Sequence, residues 1–284
     1  MHERPIGVFD SGLGGLTVLQ ALDDLLPGED LVYLGDTARY PYGERTPEEL
    51  IQSSEAIARF LVAQGVKMIV VACNSATAAA LPHLREVVDV PVIGVVEPGL
   101  RAAAAVSATG RCVVIGTTLT AASGVYESAA DALELDLEVR TLACPGFVEL
   151  VEEGHTEGPQ VERIVRSRLE PLLSARVDTL VLGCTHFPLL ARPVSEVVGR
   201  RVTLVSSADE TAFEVRDILQ RTGWLRSAGR QLDHPERPGR RTFYTTGDPA
   251  RFEELGARFL GVPLHDVRGQ RFPELGDEPL ADGS

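Results

Sequence analysis

Two cysteines, Cys73 and Cys184, stand in the same local pattern at two places in the chain. Each follows a short apolar run rich in β-branched residues, residues 66–72 before the first and 177–183 before the second. Such runs are typical of parallel strands that are buried on both faces. Both thiols are therefore predicted at the carboxyl ends of strands, where open α/β sheets bind their ligands.

Two thiols placed alike in two similar halves suggest chemistry carried out on a ligand from two sides. The alternative is that they are small buried hydrophobes, the usual fate of free cysteines. The functional interpretation is favoured because both occur in matching positions and both are followed by polar residues. Cys112, in the middle of a predicted strand, and Cys144, before a proline, are interpreted as packing or loop residues.

Two further side chains are placed to tune these thiols. His186 stands two residues after Cys184, and a protonated imidazole there would favour the thiolate, as would a helix N-terminus. A free thiol has a pKa of about 8.5, so such help is needed at neutral pH. Asp10 ends the first predicted strand, and its charge would disfavour a thiolate at Cys73. It is better suited to orienting a proton or pairing with a substrate ammonium, although a helix cap is the alternative.

Residue counts disfavour metal and pyridoxal chemistry. The four cysteines lack the spacing of a zinc ribbon or a disulfide framework, and the histidines show no ligand spacing. Lys67 is the only lysine, and pyridoxal enzymes hold their cofactor on a lysine. It begins the strand that ends at Cys73, so we expect it to be solvated and far from the thiol. The sequence predicts no metal and no cofactor.

The composition excludes several classes of partner. The formal charge of −14 in 284 residues argues against a nucleic-acid or membrane-surface binder. An anionic small-molecule substrate would need backbone N–H groups, hydroxyls and helix N-termini in its own pocket. The sequence shows no membrane-spanning run and no signal-peptide layout, so a cytoplasmic location is expected.

The predicted elements follow the order βαβαβαβ from residue 6 to about residue 96, which implies a parallel, doubly wound sheet. A similar order begins again at residue 111. Overlaying the halves places Asp10 against Thr117 and Cys73 against Cys184. The sequence therefore predicts an α/β protein with two parallel-sheet domains that arose by internal duplication.

The predicted domains are not contiguous in the chain. The first is expected to contain residues 1–97 and 211–268, and the second residues 98–210. A polar stretch at residues 226–241 is predicted to be a surface loop. Residues 269–284 are acidic and contain proline and glycine, so they are predicted to be a flexible tail.

Five motifs resemble those of bacterial glutamate racemases, in the aspartate/glutamate racemase family. The similarity covers residues 5–268, and the motifs occur in the family's order. They are Phe9-Asp10-Ser11-Gly12-Leu13-Gly14-Gly15-Leu16-Thr17, Pro41-Tyr42-Gly43, Ala72-Cys73-Asn74-Ser75-Ala76, Cys184-Thr185-His186-Phe187-Pro188-Leu189-Leu190 and Thr245-Thr246-Gly247-Asp248.

The resemblance implies a racemase that uses two bases and no cofactor to make D-glutamate for peptidoglycan. It also implies that the two α/β domains are related by a pseudo-twofold axis, with the active site in the cleft between them. Members of the family are often homodimers.

Carried over by motif, the resemblance makes Cys73 the base for D-glutamate and Cys184 the base for L-glutamate. Asp10 then assists Cys73, His186 assists Cys184, and Glu152 is a supporting polar residue. The residues predicted to contact the substrate are Asp10, Ser11, Tyr42, Gly43, Asn74, Ser75, Thr117, Thr120, Thr185 and His186.

Two departures from the family pattern and three alternative functions accompany this interpretation. Ser75 stands where the family usually has threonine, and Phe187 replaces a common tyrosine. A racemase for aspartate or hydantoins would share the paired cysteines. A hydrolase using Cys184 and His186 would leave Cys73 idle. A non-enzymatic amino-acid binding protein would need neither thiol.

Overall fold

The computed structural model describes residues 1–173, 176–226 and 238–277. This part of the chain forms two β-sheets with helices packed against them. Its strands are β1 (Ile6–Asp10), β2 (Leu31–Gly35), β3 (Met68–Val71), β4 (Val92–Gly94), β5 (Arg111–Gly116), β6 (Glu138–Ala143), β7 (Thr179–Gly183), β8 (Thr203–Ser206), β9 (Arg241–Thr245) and β10 (Val267–Gly269).

Helices connect most of these strands. In the described part of the chain, none is both long and apolar enough to cross a membrane. Short 3₁₀ helices lie at Tyr42–Glu44, Phe187–Leu190 and Pro273–Leu275. The α-helices are α1 (Leu16–Leu25), α2 (Pro47–Ala63), α3 (Asn74–Val87), α4 (Val96–Val106), α5 (Thr118–Ser123), α6 (Val125–Ala132), α7 (Phe147–Glu152), α8 (Pro159–Leu173), α9 (Ala191–Val198), α10 (Ser207–Thr222) and α11 (Pro249–Leu260).

The two sheets share one strand order. The first sheet runs β10-β9-β2-β1-β3-β4, and the second runs β6-β5-β7-β8. Every strand pair is parallel. The order β2-β1-β3-β4 therefore recurs as β6-β5-β7-β8, which confirms the predicted duplicated α/β fold. The topological switch point of the first sheet lies between β1 and β3, and that of the second lies between β5 and β7. Ligand crevices are therefore expected at the carboxyl ends of these strands.

The strands of the first sheet are apolar because helices cover both faces. Along β3, Met68 and Val70 pack with α1 and α10 on one face. Ile69 and Val71 pack under α2 and α3 on the other. All four side chains are fully buried, which explains why the sequence shows a continuous apolar run rather than an alternating pattern.

Two helices carry the chain between the sheets. α4 follows β4 toward the second sheet, and α10 returns from β8 and packs on both α1 and α4. The strand predicted to end at about residue 96 ends at Gly94, and α10 begins at Ser207. Ser206 directly precedes α10, and its side chain caps the helix.

Lys67 is not solvated, so this prediction from the sequence is wrong. Its side chain is fully buried, and its Nζ donates to Glu29 Oε2 over 2.5 Å and to the carbonyl of Trp224 over 2.9 Å. Burial lowers the pKa of Lys67, and the hydrogen bond to Glu29 opposes this shift. The residue lies at the amino end of β3 as expected, but the end of the sheet is covered by the turn that follows α10.

The C-terminal segment is also more ordered than predicted. Residues 269–277 pack on the first domain, where Phe272 is buried in the core and Asp277 pairs with Arg39. The prediction of a flexible tail is wrong for this segment because an aromatic anchor and an ion pair hold it. Residues 278–284 of the predicted tail lie outside the described residues, as do residues 227–237 of the predicted loop.

Candidate active site

A cleft opens between the carboxyl ends of the two sheets. Its walls include Ser11 and Cys73 from the first domain, and Thr117 and Cys184 from the second. These residues follow β1, β3, β5 and β7, the four strands at which the order reverses. Both cysteines are almost wholly buried, so a ligand in the cleft would meet their sulfur atoms in a largely water-excluded environment.

Cys73 is held at the beginning of α3. It is the N-cap residue of that helix, and its Sγ accepts a hydrogen bond from the backbone N–H of Ala76 over 3.5 Å. Burial raises the pKa of the Cys73 thiol, and the nearby charge of Asp10 raises it further. Cys73 is therefore a protonated thiol at neutral pH and can act as an acid.

Cys184 belongs to a different electrostatic environment. Its Sγ lies 3.8 Å from Nδ1 of His186, and His186 Nε2 lies 2.7 Å from a carboxylate oxygen of Glu152. Burial lowers the pKa of His186, but the contacts with Cys184 and Glu152 outweigh this effect and raise it to about 10. His186 is thus an imidazolium at neutral pH, and its charge lies next to the sulfur of Cys184.

The two thiols of the cleft therefore lie in different electrostatic environments. Cys184 is next to a cation, and Cys73 is close to the carboxylate of Asp10. One cleft consequently holds two groups that can carry a proton, as inversion of a carbon centre by proton transfer requires.

Asp10 connects the two domains from behind the cleft wall. Its Oδ2 accepts hydrogen bonds from the backbone N–H groups of Gly12 at 3.0 Å and Gly15 at 2.9 Å. Its Oδ1 accepts from the hydroxyl of Thr185 at 3.4 Å. Both interpretations of Asp10 are thus compatible with its position. Oδ2 accepts from backbone N–H groups before α1, as a cap does, and Oδ1 contacts a residue that lines the cleft.

Asn74 presents a hydrogen-bond donor to the cleft. Its Oδ1 accepts from the hydroxyl of Tyr126 over 2.6 Å, a contact between the two domains. Its amide Nδ2 is buried and has no hydrogen-bond partner among the residues that the structure describes. An unsatisfied buried donor is costly, so this N–H₂ group is suited to binding a ligand carboxylate.

Three hydroxyl groups form a cluster beside Asn74. Ser75 Oγ lies 2.9 Å from Thr117 Oγ1 and 3.3 Å from Thr120 Oγ1. Gly43 approaches the same cluster so closely that a Cβ there would lie 3.0 Å from Thr117. The absence of a side chain at Gly43 therefore lets the backbone of this loop form part of the cleft wall.

The structure brings the sequence-predicted residues together in two layers. Asp10, Thr120 and Glu152 lie behind the wall and bond to residues that line it. The predicted residues that line the cleft itself are Ser11, Tyr42, Gly43, Cys73, Asn74, Ser75, Thr117, Cys184, Thr185 and His186.

Other lining residues were not singled out from the sequence. Tyr40 and Glu149 have no motif of their own, and only their closeness to Tyr42 and Glu152 along the chain could have indicated them. Cys144, interpreted as a packing or loop residue, is buried in the core but also lines the cleft. Within the described residues, no group of three His, Cys, Asp or Glu side chains could hold a metal ion.

Comparison with known proteins identifies the family. The profile of the Asp/Glu/hydantoin racemases matches residues 6–214. The chain belongs to this family. A glutamate racemase of Beutenbergia cavernae is 51% identical over 272 residues, which cover 94% of this chain and 93% of that protein.

Solved structures of other racemases share the whole fold. A crystal structure of a glutamate racemase isoform from Bacillus anthracis has a TM-score of 0.90 at 40% identity and covers 96% of this chain and 99% of that one. A glutamate racemase from Francisella tularensis in complex with D-glutamate has a TM-score of 0.86 at 30% identity and covers 95% and 98%. This member of the racemase family is an amino-acid racemase, an isomerase.

The two residues that depart from the family motifs both make defined contacts in this racemase. Ser75 keeps a hydroxyl close to Thr117. Phe187 is fully buried and packs edge-on against Phe147 with ring centroids 5.2 Å apart.

Proposed function

We propose that this racemase interconverts L- and D-glutamate without a cofactor, with Cys73 and Cys184 as its two bases. The observation that carries the proposal is the placement of two thiols on one cleft, one beside His186 and the other close to Asp10. The similarity to glutamate racemases, one of them solved with D-glutamate, supports glutamate as the substrate. The product D-glutamate would serve peptidoglycan synthesis.

In the direction from L- to D-glutamate, the thiolate of Cys184 removes the α-proton and becomes a thiol. The thiol of Cys73 donates a proton to the opposite face of the α-carbon and becomes a thiolate. The negative charge that develops on the substrate carboxylate in the transition state must be met by fixed hydrogen-bond donors. The reverse reaction uses the same atoms with the roles of the two sulfur atoms exchanged.

The reverse direction requires a thiolate at Cys73, which burial and Asp10 both disfavour. A substrate ammonium group held near Asp10 would neutralise that carboxylate and reduce its effect on the thiol. Substrate binding would thereby prepare Cys73 for proton abstraction. His186 plays the corresponding role for Cys184 in the free enzyme.

The substrate carboxylates would bind to donors supplied by the cleft. The amide of Asn74 and the hydroxyl of Ser75 lie on one side, and Thr185, whose hydroxyl donates to Asp10, lies on the other. The backbone N–H groups of Tyr42 and Gly43 begin a 3₁₀ helix, where the first N–H groups have no partner within the helix. Such local donors compensate for the overall negative charge of the protein.

Incubation with L-glutamate in D₂O tests this function directly. The D-glutamate formed should carry deuterium at Cα, because the proton it receives comes from a thiol that exchanges with solvent. L-Aspartate and a 5-substituted hydantoin are run in parallel. Faster racemisation of either compound would assign the chain to that substrate, and hydrolysis without α-deuterium would favour the single-thiol alternative.

The assembly and location of the enzyme are predictions from the resemblance and the composition. We expect a homodimer in the cytoplasm, with no nucleic-acid or membrane partner. Sedimentation equilibrium would test the dimer, since a mass near 30.5 kDa for the native protein would indicate a monomer. Fractionation of cells that express the protein would test its location.

His186→Asn and Asp10→Asn should shift the rate-limiting step in opposite directions. The two enantiomers have equal free energies in water, so each variant must change kcat/KM equally in both directions. Loss of the imidazolium makes proton abstraction by Cys184 slower, which should raise the α-deuterium isotope effect on L-glutamate turnover relative to that on D-glutamate. Asp10→Asn should shift the balance toward the Cys73 step, because it removes the carboxylate that is proposed to pair with the substrate ammonium and orient the proton on the Cys73 side.

The measurement is the isotope effect on kcat/KM for each enantiomer in wild type and both variants. Isotope effects that stay unchanged, or that move identically in the two variants, would show that these residues serve binding or folding instead.

A further inference from the structure

Asp36 is a fully buried carboxylate directly after β2, outside the cleft wall. Its Oδ2 accepts a hydrogen bond of 2.5 Å from the hydroxyl of Tyr42. Its Oδ1 accepts from the hydroxyl of Thr246 at 2.7 Å and from the guanidinium of Arg39 at 2.6 Å. Three donors on one carboxylate fix its position. Burial strengthens each of these hydrogen bonds, because the local dielectric constant is low.

Through Tyr42, this carboxylate is connected to the cleft. Tyr42 and Gly43 line the cleft, and Tyr42 is almost fully buried. Its ring packs in the core of the first domain, and Asp36 holds its hydroxyl. The position of the loop at residues 40–44 therefore depends on where Asp36 holds this hydroxyl.

Arg39 extends the connection to the C-terminal segment. Its guanidinium pairs with both Asp36 and Asp277 and lies 5.9 Å from the ring centroid of Phe272. Asp277 in turn accepts a hydrogen bond of 2.8 Å from the backbone N–H of Phe272. The guanidinium of Arg39 thus connects Asp36, behind the cleft, to Asp277. Asp277 lies 238 residues from Arg39 in the chain.

We propose that Asp36, Arg39 and Asp277 form a positioning network through which the C-terminal segment sets the substrate loop at residues 40–44. None of the three lines the cleft, so they act through Tyr42 and touch no reacting atom. Asp277 fixes the guanidinium of Arg39, Arg39 fixes Asp36, and Asp36 fixes Tyr42. The inference rests on the proposed glutamate racemisation, because its readout is the KM for glutamate.

The test compares Asp277→Ala with Glu274→Ala in the full-length protein. Both changes remove one negative charge from the same short segment, but Glu274 is exposed and lies outside the network. We expect Asp277→Ala to raise the KM for L-glutamate about fivefold with kcat nearly unchanged, as for residues coupled through one hydrogen-bond network. Glu274→Ala should leave both constants at the wild-type value, and Asp277→Asn should restore most of the affinity.

A second comparison asks whether the effect passes through Tyr42. In a Tyr42→Phe background the hydroxyl contact with Asp36 is absent, so adding Asp277→Ala should raise KM no further. Denaturation midpoints of all variants show whether each is folded at the assay temperature.

Two results would overturn the network. They are an unchanged KM in Asp277→Ala, and a full additional increase in the Tyr42→Phe background. Either result can be separated from failure of the proposed function, because wild-type protein that does not racemise glutamate would contradict that function first.

Discussion

Cys73→Ser and Cys184→Ser should each lower kcat/KM for glutamate by about 10²–10⁴-fold, the range for loss of one acid–base group. A serine hydroxyl is too weak an acid to supply the anion at neutral pH, and inversion requires a proton carrier on each face of the α-carbon. The loss should be equal in the two directions because the enantiomers have equal free energies. Polarimetry or circular dichroism of the reaction mixture measures it.

Cys112→Ser is the matched control for these two variants. Cys112 is buried in β5 and does not line the cleft, so the same chemical change there should leave turnover close to wild type once the protein is folded. Near-native racemisation by either Cys73→Ser or Cys184→Ser would contradict the two-base mechanism. A single-thiol mechanism would then have to replace it.

Lys67→Ala should reduce the free energy of unfolding by about 3–5 kcal/mol, the cost of removing one partner from a buried ion pair. Both Lys67 and Glu29 are almost fully shielded from water. Without the ammonium group, Glu29 keeps the backbone N–H of Arg226 as a donor but has lost its counter-charge. Denaturant unfolding monitored by circular dichroism measures the change.

The double variant Lys67→Met/Glu29→Gln separates loss of the charge from loss of packing. It removes both charges at similar volume, so it should recover much of the stability lost in Lys67→Ala. At a temperature where Lys67→Ala is folded, this single variant should still racemise glutamate, because Lys67 lies at the end of β3 opposite Cys73. An unchanged denaturation midpoint in Lys67→Ala would refute the stabilising role, and a folded but inactive variant would implicate Lys67 in the reaction.

The sequence alone determined the order of strands and helices and the ends at which the thiols lie. Strands buried on both faces must be apolar throughout, so the runs before Cys73 and Cys184 could be recognised without the structure. The start of α2 is also a local feature, because Thr46 and Glu49, three residues apart, form a capping box there. These features depend on neighbours within a few residues, or on a repeated pattern.

The sequence also placed His186 near Cys184, since only Thr185 stands between them, but it could not show what the imidazole bonds to on its other side. The contact with Glu152 spans 34 residues, and that of Asn74 with Tyr126 spans 52. Of the two distant partners, Glu152 and Tyr126, the sequence analysis singled out only Glu152, and it did so by family resemblance. Hydrogen bonds between distant residues leave no periodic signal in a single sequence.

Burial of charged residues was decided only by the tertiary structure. Lys67 at the start of a strand and Asp277 in an acidic segment both have the local sequence of solvent-exposed residues. Each is covered or paired by groups far away in the chain, the carbonyl of Trp224 for Lys67 and the guanidinium of Arg39 for Asp277. A charged side chain can be buried wherever the fold supplies an opposite charge and hydrogen-bond partners, and these partners are fixed only when the domains have assembled.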